Sequence, residues 1–83
     1  MKIRFKLYAT LSRYLPDEAV DNAVDIVVPS DASPYSILDR FRVPRELSHL
    51  VLVNGVFAAP SERESAILKD GDTLAIWPPV AGG

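Results

Sequence analysis

The pair Asn54-Gly55, set between Leu50-Val51-Leu52-Val53 and Val56-Phe57, constrains the fold of this chain more than any other stretch. A type I′ turn needs φ above zero at both central residues. Asn and Gly meet that need at little steric cost, so the pair between apolar runs specifies a β-hairpin. The run before the turn is apolar without a break. It fits a strand covered on both faces, or one whose outer face awaits a partner.

Other segments supply the strands that such a hairpin joins. In residues 2–8, Ile3, Phe5 and Leu7 point one way while Lys2, Arg4, Lys6 and Tyr8 point the other, as in a half-buried strand. The basic row on the outer side reads as solvated alternation. Residues 23–28 place Val24, Ile26 and Val28 on one face, and Pro29 ends them. After a tight turn at Asp70-Gly71, Thr73 to Trp77 form a last strand. Leu74 and Ile76 share the core parity of the first strand, which leaves Thr73, Ala75 and Trp77 facing outward.

The connections are polar or short. Leu11, Tyr14 and Leu15 have helix-like spacing before Pro16, giving a wide hairpin connection with one turn of helix. Asp17, Glu18 and Asp21 follow it as solvated acids, with no group nearby to share catalysis. Ser33-Pro34 opens a helix with Ser as N-cap and Pro at the first helical position. Ile37, Leu38 and Phe41 make its buried stripe, Tyr35 covers the core edge, and Val43-Pro44 is the expected stop. Residues 60–69 read as a polar crossing with a helical turn at Ser61-Glu62-Arg63-Glu64, anchored by Ile67 and Leu68. The expected architecture is α+β: one helix across one face of a mixed sheet, with the first and last strands parallel at its centre.

Composition closes off several functions. The 83 residues suffice for one domain, and 48% hydrophobic with 24% charged is ordinary for a globular chain. Without cysteine there is no disulfide, no thiolate nucleophile and no Cys-bound metal. His49 is the sole histidine, read as a surface or half-buried residue, so neither a histidine metal cluster nor a Ser-His-Asp triad can form. A net charge of −2 argues against a nucleic-acid binder. No run of 18 apolar residues offers a membrane span, and Met1-Lys2-Ile3-Arg4-Phe5-Lys6 does not resemble a signal peptide. The expected location is cytoplasmic, with no membrane or nucleic-acid partner.

The last six residues, Pro78-Pro79-Val80-Ala81-Gly82-Gly83, change character. Two prolines stiffen the exit from the last strand and give up their N–H donors, so the chain stands off as an extended arm. Side chains then shrink to Ala, Gly and Gly, letting the arm enter a narrow channel close to another backbone. Trp77, at the root of that arm, suits an interface anchor.

Four motifs in order carry a family resemblance: Leu7-Tyr8-Ala9-Thr10-Leu11, Val53-Asn54-Gly55, Leu68-Lys69-Asp70-Gly71-Asp72, and the ending Ala75 to Gly83. With them the whole chain resembles the ThiS/MoaD-like family of ubiquitin-fold sulfur carriers. Within that family it looks most like the small, sulfur-carrying subunit of molybdopterin synthase. The resemblance implies a β-grasp domain over residues 1–77, with a mixed sheet of four or five strands, and an extended tail over 78–83. It implies that an E1-like adenylating enzyme activates Gly83 with ATP, and that a persulfide protein donates sulfur. The large synthase subunit then receives the tail and builds the dithiolene of a molybdenum or tungsten pterin. Gly82 and Ala81 would let the tail thread, and Val80, Pro79 and Pro78 would set its path. Trp77, Tyr8, Phe57 and Leu52 are the interface candidates, and the carrier itself holds no metal or cofactor.

The chemistry suits a chain without Cys or metal. A terminal carboxylate is ionised at pH 7 and is a poor electrophile, so it must first become a mixed anhydride. Sulfur then displaces AMP and leaves a thiocarboxylate on a tether, which raises its effective concentration at the acceptor. Three other readings share much of this sequence. A related carrier could feed thiamine thiazole synthesis or tRNA thiolation. A ubiquitin-like modifier would join Gly83 to target lysines. A plain interaction domain would have an inert tail.

Overall fold

In the computed structural model, which describes residues 1–79, five strands form one mixed sheet. They are β1 (Lys2–Leu7), β2 (Ala23–Val27), β3 (Leu50–Val53), β4 (Val56–Phe57) and β5 (Thr73–Trp77), in the spatial order β2-β1-β5-β3-β4. β1 and β5 run parallel at the centre, and the other neighbours are antiparallel. A parallel pair requires a long crossover, and the segment between β1 and β5 carries the single α-helix, α1 (Pro34–Arg40). This is a ubiquitin-like β-grasp arrangement. Calls on Val80, Ala81, Gly82 and Gly83 fall outside the described residues.

The core lies between α1 and one face of the sheet. Ile3, Phe5, Leu7, Ile26, Val51, Leu74 and Ile76 enter it from the strands, and Ile37 and Leu38 meet them from α1. Phe41 closes one side, its ring stacked on Phe5 with centroids 5.0 Å apart. The period-two pattern of β1 and β5 accounts for this: their register pairs Phe5 with Leu74 and Leu7 with Ile76, so the apolar rows coincide.

The two turn motifs are tied to each other. Asn54 and Gly55 adopt φ of 52° and 82°, as the hairpin demands, and Gly71 takes 86°. Asn54 Oδ1 accepts from the Thr73 amide at 2.8 Å, while its Nδ2 donates to Asp72 Oδ1 at 2.8 Å. Asp70 Oδ1 in turn accepts from the Lys2 amide at 2.8 Å. Val53-Asn54-Gly55 and Asp70-Gly71-Asp72 thus form one corner that sets β1, β3 and β5 in register.

Three local expectations need correction. The helix ends at Arg40, before Val43-Pro44. Arg42 enters the left-handed region at φ 61°, the Val43 amide donates to Leu38 C=O, and the Arg42 amide donates to Asp39 C=O. Those bonds satisfy the free carbonyls in a Schellman motif, with Val43 buried beside Leu38, so no proline is needed to stop the helix. Ile67 does not anchor the 60–69 crossing; it is 60% exposed, and of the two expected anchors Leu68 is the one that is buried. The crossing's short 3-10 turn spans Pro60–Glu62, and Arg63 just after it is buried rather than solvated.

The expected N-terminus of the helix matches the structure. Ser33 caps it in a reciprocal box, its Oγ accepting from the Ser36 amide while Ser36 Oγ accepts from the Ser33 amide.

Candidate functional site

The face of the sheet opposite α1 is where the sequence-derived candidates meet. Antiparallel register sets Leu50 beside Trp77 and Leu52 beside Ala75, and Phe57 lies opposite Leu52. Parallel register adds Lys6 beside Ala75. One row therefore runs Lys6, Ala75, Leu52, Phe57 across four strands, with Trp77 and Leu50 in the row above. Leu52 lies on this outer face, so the unbroken apolar run of β3 divides between the core (Val51, Val53) and an exposed apolar surface (Leu50, Leu52). Val51 is fully buried, whereas Leu50 and Leu52 are half-buried and Phe57 is exposed.

Tyr8 and Trp77 are packed as a stacked pair, with ring centroids 4.3 Å apart and planes within 5°. The Tyr8 amide donates to Ile76 C=O at 3.1 Å, which extends the β1–β5 pairing one step and brings the two rings side by side. Such a pair adds about 0.5–1.5 kcal/mol beyond burial of its area. Immediately afterwards Ala9 takes φ 53°, a left-handed conformation that costs a non-glycine residue about 1 kcal/mol. That bend turns the chain into its 3-10 turn, Ala9–Tyr14, and away from the last strand.

What the bend leaves is an apolar groove of ≈ 450 Å³ lined by Ala9, Thr10, His49, Leu50, Trp77, Pro78 and Pro79. It sits at the root of the tail. Pro78 is half-buried along its wall, and Pro79 is exposed. The His49 amide donates to Trp77 C=O at 3.0 Å and closes the groove's far side. Sequence reasoning assigned Trp77, Tyr8, Phe57, Leu52, Pro78 and Pro79 to the face and tail, but missed Leu50 and the groove-lining role of His49. The signal for Leu50 was its parity with Leu52. His49 had no such signal, because its place depends on β3 pairing with β5.

Charge on the outer face lies toward β1 and β2. Arg4 Nε donates to Asp25 Oδ1 at 3.0 Å, and that hydrogen bond, more than the pair's charge, holds the Asp25 carboxyl below its ordinary value. A second basin of ≈ 380 Å³ lies here, among Arg4, Lys6, Glu18, Asp21 and Asp25. This basin mixes basic and acidic groups, Glu18 and Asp21 among them, whereas the groove is lined mostly by apolar groups and lies beside Trp77 and Pro78, so the groove is the candidate for docking. Among the described residues no cluster of His, Cys, Asp or Glu could hold a metal ion, and no helix is long and apolar enough to cross a membrane.

A ubiquitin-like fold with an apolar outer face beside its Pro78-Pro79 segment fits one class, the small ubiquitin-fold carriers and modifiers. The chain belongs to the ThiS family, whose model matches residues 16–83. A search of curated proteins finds no match. Among solved structures, the chain is similar to SAMP1 of Haloferax volcanii, a small archaeal modifier protein, with 28% identity and a TM-score of 0.67 over 100% of both chains. It is similar in fold to the HVO 2177 protein of Haloferax volcanii, with 23% identity, a TM-score of 0.79, and coverage of 100% of this chain and 87% of the other. A further likeness of fold is to the Pyrococcus furiosus protein described as molybdopterin converting factor subunit 1. That match has 20% identity and a TM-score of 0.62, covering 95% of this chain and 98% of the other.

Proposed function

We propose that this protein is the sulfur carrier of a molybdopterin synthase, with Gly83 bearing the transferred sulfur. The observation that carries the reading is the apolar groove and stacked Tyr8–Trp77 pair at the root of the tail, in a chain of the ThiS family. A carrier needs a docking surface at the base of an arm that enters another protein's active site. The outer face and the Pro78-Pro79 exit supply that combination.

The chemistry proceeds on the arm. The Gly83 carboxylate attacks the α-phosphorus of ATP in an E1-like enzyme, and pyrophosphate leaves. A persulfide on a donor protein attacks the acyl-adenylate carbonyl, and AMP leaves. The acyl carbon is now bonded to the persulfide's outer sulfur; a thiol then attacks the inner sulfur and cleaves the persulfide's original S–S bond, forming a disulfide on the donor side and leaving the carrier as a thiocarboxylate. In the large synthase subunit each thiocarboxylate gives one sulfur to a cyclic pyranopterin phosphate while water attacks its carbonyl and regenerates the carboxylate, so two loaded carriers complete one dithiolene. The carrier binds no cofactor of its own, and its side chains serve docking rather than bond-making. Gly82 and Ala81 thread the channel, and Val80, Pro79 and Pro78 direct the arm. Activation and transfer place the protein in the cytoplasm with its partner enzymes.

Likeness to a small archaeal modifier over the whole chain favours a second reading, in which activated Gly83 forms an isopeptide bond with a lysine of a target protein. Both readings share the adenylation step and part at the acceptor. Incubation with ATP, an activating enzyme and a persulfide donor should shift the intact mass by the difference between sulfur and oxygen. Mixing the product with the large synthase subunit and pterin precursor should return the original mass as dithiolene forms. No mass change with any cognate activating enzyme would sink the carrier reading. Higher-mass conjugates in extract that vanish on deletion of Gly83, without pterin sulfuration, would favour the modifier.

A further inference from the structure

Arg63 is 3% exposed, yet it pairs with no carboxylate among the described residues. Burying a lone cation costs several kcal/mol unless its donors are satisfied. Here the guanidinium is satisfied by main-chain oxygens: Nε donates to Ala58 C=O at 2.9 Å, Nη1 to Ser48 C=O at 2.8 Å, and Nη2 to His49 C=O at 3.2 Å. Its Cζ lies 5.7 Å from the centroid of the Phe57 ring, within cation–π range.

These partners share one property: each is next in the chain to a residue of the outer face or of its groove. Ala58 follows Phe57 at the edge strand, while Ser48 and His49 lead into Leu50. His49 also donates its amide to Trp77 C=O at the tail root. One side chain therefore connects Phe57 at one border of the apolar face to the groove and Trp77 at the other. An apolar side chain of similar volume would fill the space without making these links, and the interior already holds a continuous apolar cluster. The fork geometry of a guanidinium is suited to three carbonyls in fixed directions, which a lysine cannot satisfy together.

We infer that Arg63 is a positioning residue for partner docking: it holds the Phe57 edge and the tail-root groove in one fixed arrangement. The inference rests on the outer face being the surface that the adenylating enzyme meets. It predicts that losing the guanidinium disorganises this face locally while the β1–β2 side and α1 keep their structure.

The test uses Arg63→Met and Arg63→Lys in the full chain. Native-state amide exchange by NMR should show His49 N–H opening about tenfold faster than in wild type, relative to the Phe5 amide, with a shifted Trp77 indole resonance. In adenylation assays the KM for the carrier should rise about tenfold while kcat stays within about twofold, with Arg63→Lys intermediate between wild type and Arg63→Met. Exchange that accelerates equally at His49 and Phe5, or a KM that does not change, overturns the proposal and leaves Arg63 a general stabiliser. Should Arg63→Met fail to fold, Arg63→Lys decides by the same measurements. A wild-type protein that no activating enzyme accepts would remove the carrier reading. The ratio of exchange at His49 and Phe5 would still decide whether Arg63 organises the face.

Discussion

Trp77 links the fold to the proposed docking event, since its main chain pairs with β3 while its ring stacks on Tyr8 and walls the groove. Replacing it by Ala removes the stack and half of that wall but leaves the core cluster intact. Trp77→Ala should therefore cost about 1–3 kcal/mol of stability by urea titration, less than a full core truncation. It should raise the adenylating enzyme's KM for the carrier by more than about tenfold, as loss of a central aromatic anchor does. An unchanged KM in the folded variant would remove Trp77 from the interface. Single-residue reading served well for Asn54 and Gly71, whose types are demanded by their positive φ. It failed for Arg63, because a charged residue in a polar stretch carries no sign of burial until its three carbonyl partners are assembled.

Among the elements, α1 depends most on its surroundings, because its seven residues could not persist alone in water. Packing of Ile37 and Leu38 gives it a reason to form, while the Ser33–Ser36 box and the Schellman closure at Arg42 satisfy its ends. Ser33→Ala should cost about 1 kcal/mol, seen as a lower urea midpoint with an unchanged slope. No loss would mean that solvent replaces the cap. Ser33-Pro34 announced the helix start clearly, whereas its end was misread at Val43-Pro44. A helix can stop on a left-handed residue other than Gly, and Arg42 gives no hint of that in its chemistry. The strands were easier, because apolar alternation in β1 and β5 leaves one choice of inward face. The β3 run had no alternation, and only its pairing with β5 set Leu52 outward.

For the molecule as a whole, acid should reveal how little of the stability depends on surface charge. The Asp25 and Asp39 carboxyls are each held below the usual range, first by hydrogen bonds from the Arg4 and Arg45 guanidiniums. Their contribution is in force above the unfolded-state value of about 4 and disappears as pH falls through the lower folded-state values. Both pairs are about half exposed, so screening keeps the contribution small. A double Asp25→Asn, Asp39→Asn variant should melt slightly below wild type at pH 7 and converge with it by about pH 2. Melting curves that run parallel across this range would show that the pairs add nothing measurable. The apolar core between α1 and the sheet, rather than these pairs, carries the fold.

Sequence alone determined the class of fold. Local rules decide it: apolar parity chooses a strand's inward face, and Asn-Gly and Asp-Gly impose their turns. Tertiary structure decided how separate segments share one surface. The Tyr8–Trp77 stack joins residues 69 positions apart in the chain, and it exists because β1 and β5 pair in parallel. The groove draws its walls from three such segments, and Arg63 acquires its role from carbonyls on one of them and on a fourth. Register and long-range hydrogen bonds set these neighbours, and neither can be read from a residue's type or from the residues beside it.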